Sequence, residues 1–150
     1  MLRTEYGLKI GVCSLVLLGG YGCGSKSAFK EQPLGPTQLM AIGRAYNAAT
    51  NDLDRPPQSK DEIKPYIHKD WAGKDLFRSP NDNEEFVVLW GVDTRDWNLS
   101  GHPDNLPVLA YEKQGNDEKR LVLLGGRYVK LVADEDLAKL KFPAPYKPPL

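Results

Sequence analysis

The stretch that decides the fold is VLLGGRYVKLVADEDL, Val122 to Leu137. Two apolar runs flank the pair Gly125-Gly126. A phosphate-binding loop needs glycines in a longer array with a helix starting directly behind them, because the helix N-terminus supplies the N–H donors. Behind this pair comes RYVKLV, whose β-branched and aromatic residues fit a pleated strand. Gly-Gly between two such runs predicts a two-residue hairpin turn, whose positive φ angles glycine adopts without strain. In that register Leu123 faces Tyr128 and Val122 faces Val129. DEDLAKL, Asp134 to Leu140, then predicts a short helix with its acids in the first turn, where the helix dipole favours negative charge.

Working outward from the hairpin, VLAY (Val108–Tyr111) and FVVLW (Phe86–Trp90) read as further strands bounded by turn-forming residues. Upstream, Leu39, Ile42, Tyr46, Ala49 and Leu53 recur at steps of three and four, which places them on one face of a helix over Thr37–Leu53. Thr37 is its expected N-cap, and DRPP (Asp54–Pro57) ends it, since proline lacks the N–H donor and restricts the residue before it. Ser59 to Glu62 has the form of a capping box opening a short helix with Ile63, Tyr66 and Ile67. A helix followed by a small antiparallel sheet of about four strands makes an α+β domain.

The chain has 150 residues, enough for one domain with a sizeable core. Lysine plus arginine number 20 and aspartate plus glutamate 20, so bulk charge draws it to neither nucleic acid nor an anionic surface. Arg3 and Lys9 precede the apolar run Ile10–Gly20 (IGVCSLVLLGG), whose length suits an export signal of roughly 7–15 residues and falls short of the ~20 a membrane span needs. Only two cysteines occur, Cys13 inside this run and Cys23 just after it. The box Gly20-Tyr21-Gly22-Cys23 resembles a bacterial lipoprotein cleavage site, although Gly20 stands where that pattern prefers leucine. The resemblance implies a signal peptide over 1–22 and a diacylglycerol on Cys23, the first mature residue. It further implies a protein anchored to a membrane of the cell envelope. Acyl chains contribute about 0.8 kcal/mol per buried methylene, so two or three hold a small domain in place. The alternatives are an ordinary cleaved signal and an uncleaved anchor. Residues 23–35 read as a flexible tether, 36–141 as the folded domain, and FPAPYKPPL (142–150) as an extended proline-rich tail.

The order of elements, with VLAYEK (Val108–Lys113) and VLLGGRYVKL (Val122–Leu131), resembles the soluble part of pseudopilin-like proteins of the planctomycete type over Pro36–Leu140. That likeness implies an assembly or secretion role with an envelope protein as partner. The family's signature of histidine, nine residues, then Asp-Gly is absent: Gly115 and Gly125 stand at its histidine and aspartate positions.

Candidate chemistry is sparse. In the loop Gly91–Pro107, Asp96, Asn98 and Ser100 alternate, Gly101 follows and Asp104 comes at the ninth place, as in most of an EF-hand calcium loop. The closing glutamate is replaced by Pro107, so the competing reading is a loop whose Asx and Ser side chains serve its own turns. Asp93 is a third carboxylate within reach by sequence. A calcium-dependent or small-ligand module on this loop is the alternative to an interaction module. Ser100 and His102 lack the third group that would orient a catalytic base. His68, His102 and one cysteine make a poor zinc set. Glu84-Glu85 and Asp134-Glu135-Asp136 are explained by solvation and helix-end charge. Trp71, Trp90 and Trp97 are candidates for a ligand face. No catalytic residue and no resident cofactor are expected, and the function expected is non-enzymatic.

Overall fold

A computed structural model of the chain describes residues 34–100 and 102–149. The export-signal and Cys23 expectations therefore lie outside the described residues, as does nearly all of the 23–35 tether.

Helix α1 spans Leu34–Asp52 and starts one turn earlier than expected. The reason is Pro36. The first N–H groups of a helix have no partner within it, so a proline there sacrifices nothing and its fixed φ favours the helical turn. Thr37 consequently sits inside the first turn rather than capping it. The predicted stripe is buried, with Leu39, Ile42, Tyr46 and Ala49 all inaccessible, whereas Leu53 lies past the helix end and is exposed. Gln38 also turns inward, and its amide donates to the carbonyls of Asp75 (3.0 Å) and Arg78 (2.9 Å).

After the Asp54–Pro57 stop comes α2, Lys60–Ile63, continued by a 3-10 turn at Lys64–Tyr66. Ser59 has the extended backbone of a cap, but its side chain makes no capping bond. Half of the expected box forms in another way: Glu62 accepts from the N–H of Gln58 (3.1 Å) and from Arg55 (2.9 Å), which draws the carboxylate away from Ser59.

The sheet runs β1 (Val87–Val88), β2 (Val108–Tyr111), β3 (Lys119–Leu124), β4 (Tyr128–Ala133), all antiparallel and in that spatial order, with α3 (Asp134–Leu137) after the last strand. This is the α+β layout read from the sequence. The hairpin register is different from expectation by one residue. Leu124 pairs with Tyr128, Leu123 with Val129 and Val122 with Lys130, so the loop holds Gly125, Gly126 and Arg127. Both glycines have positive φ (60° and 70°), and the N–H of Arg127 donates to Leu124 O at 3.2 Å. A one-residue slip exchanges the faces of every side chain on a strand. Here it gives Val129 to the helix side and Val132 to the other.

The centre of the sheet, β2 and most of β3, is buried on both faces. Against α1 pack Leu109, Ala110, Leu121 and Leu123, together with Ile63 and Phe77. A register shift between Val108 and Ala110 bulges β2, which lets the adjacent Leu109 and Ala110 both join this layer. On the far face Val108, Tyr111, Val122, Leu124 and Val132 meet Leu137, Phe142 and Tyr146. That explains why VLAY is apolar throughout. The proline-rich tail, expected to be extended, turns at Ala144-Pro145, where the Tyr146 N–H donates to Pro143 O at 2.9 Å, and it packs. Lys141 O accepts from the N–H of Val108 (2.9 Å), Phe142 meets Tyr111 edge to face at 6.0 Å, and the Tyr146 hydroxyl donates to Trp90 O at 2.6 Å.

Candidate functional site

The loop 91–107 is held to α1 at its start. The Tyr46 hydroxyl accepts from the N–H of Val92 (2.9 Å) and lies 3.0 Å from Val92 O, and Trp90 stacks on the Tyr46 ring at 5.9 Å. Burial pushes the Tyr46 hydroxyl pKa far above its ordinary value, so it stays a neutral hydrogen-bonding group. Thr94 Oγ1 donates to Asn47 Oδ1 at 2.7 Å. Arg95 bridges Asp93 (2.6 Å) and Asp54, joining the loop to the segment after the helix.

Within this frame two of the four side-chain oxygens of the calcium reading, those of Asn98 and Asp104, are turned to other tasks. Asn98 Oδ1 accepts from the N–H of Ser100 at 3.1 Å, an Asx turn. Asp104 Oδ1 lies 2.6 Å from Lys130 Nζ on β4, and that hydrogen-bonded cation holds the Asp104 carboxyl below its usual range. Asp93 is lowered in the same way by Arg95. Asp96 is exposed. A carboxylate already facing an ammonium offers a divalent cation much less field than a free one. Among the described residues no group of three or more His, Cys, Asp or Glu is arranged to hold a metal ion.

The two histidines play one local role twice. His68 and His102 each open a 3-10 turn, at Lys69–Trp71 and Pro103–Asn105, and each Nδ1 accepts from the N–H two residues on at 3.4 Å. Each is faced by its own aspartate, Asp70 at 3.1 Å and Asp104 at 3.7 Å.

Two features went unread in the sequence. The first is Glu112, at the end of β2, which is wholly inaccessible to solvent. Ser79 Oγ (2.5 Å) and Asn81 Nδ2 (2.7 Å) donate to one of its oxygens, and the Leu121 N–H (2.7 Å) donates to the other. Three donors satisfy a buried carboxylate without a cation. The adjacent Asp82 accepts from the N–H groups of Glu84, Gln114 and Gly115. Burial alone would raise the Asp82 pKa, but those three N–H groups together bring it below its ordinary value. The segment 79–82 is thereby clamped to the β2–β3 connection. No sequence motif marks this, because two of the three partners of Glu112, Ser79 and Asn81, lie more than thirty residues away.

The second is a groove between α1 and the segment 66–71. It has a volume of about 250 Å³ and is lined by Met40, Arg44, Tyr66, His68, Asp70 and Trp71. Of the three tryptophans, Trp71 lines this groove, Trp90 stacks on Tyr46, and Trp97 packs against both sides of the core. They do not form one ligand face.

No family model, no curated protein and no solved structure matches the chain.

Proposed function

We propose that this chain is a non-enzymatic interaction module of the cell envelope, exported and held at a membrane by a lipid on Cys23. In this reading it serves assembly or secretion through contacts with another envelope protein. The observation that carries the interaction role is the open edge of the sheet. Among the described residues strand β4 has β3 on one side and no strand on the other, and it exposes Tyr128 (39%) and Leu131 (55%). An unpaired strand edge with apolar side chains offers backbone donors and acceptors to an added strand, and soluble proteins ordinarily cover or charge such an edge. Further support comes from the helix-first layout closing on a hairpin, which suits a pseudopilin-like soluble domain. The anchor rests on the apolar run and the GYGC box.

The test is the intact mass of the chain extracted from membranes, beside a Cys23→Ala variant fractionated in the same way. A chain beginning at Cys23 with added diacylglycerol, and a variant released to the soluble fraction, is the expected result. An unmodified soluble chain would overturn the anchor.

A further inference from the structure

The groove along α1 has cations at its wall and rim. Of the exposed acids near it, Asp75 faces Arg78 at 3.1 Å and Asp52 accepts from the Tyr66 hydroxyl, while Asp70 stands beside the histidine ring of His68. Arg44 projects from α1 into the groove wall without an ion pair or hydrogen bond among the described residues, unlike Arg55, Arg78, Arg95 and Arg120, each of which holds a carboxylate. Lys74 Nζ stands 5.6 Å over the Trp71 ring, and Lys69 is exposed beside it. The floor is apolar and aromatic, from the half-buried Met40, Tyr66 and Trp71. At about 250 Å³ the groove falls below the roughly 300–1,000 Å³ typical of whole-ligand pockets, so it suits one side chain of a longer partner.

We infer that this groove docks an acidic peptide segment of a partner protein. An aromatic side chain lies against Trp71 and Tyr66, and a neighbouring carboxylate is taken by Arg44. The ring gains from stacking and from leaving water. The guanidinium provides two parallel N–H donors that match a carboxylate, which a lysine at position 44 would not. The inference rests on the reading of the chain as an interaction module. It is independent of the lipid anchor and of the β4 edge.

The experiment uses the full chain in detergent and follows the anisotropy of fluorescein-labelled pentapeptides. The probes are Glu-Glu-Phe-Glu-Glu, the same peptide with alanine at its centre, and Lys-Lys-Phe-Lys-Lys. The acidic aromatic peptide is expected to bind most tightly, and Arg44→Glu to weaken it about fivefold, the scale of an exposed charge pair, while improving the lysine peptide. Trp71→Ala is expected to abolish the preference for phenylalanine over alanine at the centre. Arg44 is exposed on its helix, so Arg44→Glu folds, with circular dichroism as the check. Equal binding of the acidic and basic peptides, no binding by any of them, or binding indifferent to both substitutions would overturn the inference. The titration repeated on Cys23→Ala separates it from the anchor, because the groove is expected to bind equally well there.

Discussion

A Cβ added to Gly43 would stand 2.2 Å from the carbonyl oxygen of Gly126, so helix α1 and the β3–β4 turn meet backbone to backbone. This contact answers what the glycine pair does. Gly125 and Gly126 shape a turn and also let it sit against the helix, where Asn47 lies within 3.5 Å of Gly126 O. Alanine is the better helix former by about 1 kcal/mol, yet Gly43→Ala is expected to destabilise. The listener to the clash is backbone on both sides, and overpacking of that kind costs about 1–3 kcal/mol. Urea unfolding reads the sign directly: a higher midpoint for Gly43→Ala would show that the turn does not press on the helix.

Glu112 makes a second prediction. Glu112→Gln keeps the size, but with its oxygen on the Leu121 N–H its NH2 group meets Ser79 Oγ and Asn81 Nδ2, both donors in the native network. The expected loss is about 1–3 kcal/mol, the range for an unsatisfied buried polar group. Ser79→Ala in the Glu112→Gln background should cost less than it does alone, because the two side chains share one network. Additive losses in a double-mutant cycle would show that they are independent.

Acid should weaken the domain through Asp82. Its folded pKa is depressed, so its contribution is fully present above the ordinary aspartate value and is lost as pH falls through the lower, folded one. Asp93 and Asp104 act in the same direction, although both are more exposed and more screened. Thermal midpoints are therefore expected to fall below about pH 4. Asp82→Asn should lower the midpoint at neutral pH and flatten the acid limb. An unchanged acid limb would remove Asp82 from the account.

The tail gives a fourth prediction. Tyr146→Phe removes one hydrogen bond to Trp90 O and is expected to cost about 0.5–1.5 kcal/mol. Truncation after Lys141 removes Phe142 as well and uncovers the far face around Tyr111 and Val122. Binding of a hydrophobic dye should then rise, and a truncated chain that stays dark would show that the tail covers nothing.

At the open edge, Leu131→Lys should leave stability within about 0.5 kcal/mol, as for other exposed substitutions, while reducing concentration-dependent association in sedimentation. Identical sedimentation of the two proteins would take the edge out of the interaction reading.

The α+β order, the α1 stripe and the role of the glycine turn were legible because each rests on local periodicity or on one residue's φ angle. The hairpin register was not. Tyr128, Lys130 and Leu131 are all exposed on β4, so the apolar pattern of RYVKLV does not separate one alignment from the other, and tertiary packing chooses. Thr37 was misplaced because Pro36 reads as a boundary from sequence and is in fact welcome in the first turn. The candidate site was less legible still. Glu112 belongs to VLAYEK, where a glutamate after a strand reads as the start of a solvated turn, and its burial depends on Ser79 and Asn81 arriving from another part of the chain. Arg44 reads as one more residue on the polar side of a helix. Its lack of a carboxylate becomes visible only when Arg55, Arg78, Arg95 and Arg120 have found theirs.

The far face of the sheet is closed by residues at the very end of the described chain. A polypeptide that emerges N-terminus first, from a ribosome or through a membrane channel, can assemble α1 and the hairpin while Val108, Val122 and Leu124 still face water. The domain is then half a sandwich with one sticky side until Phe142 and Tyr146 follow. Completion of this face thus waits for Phe142 and Tyr146, and during that interval a chaperone has a defined apolar surface to hold.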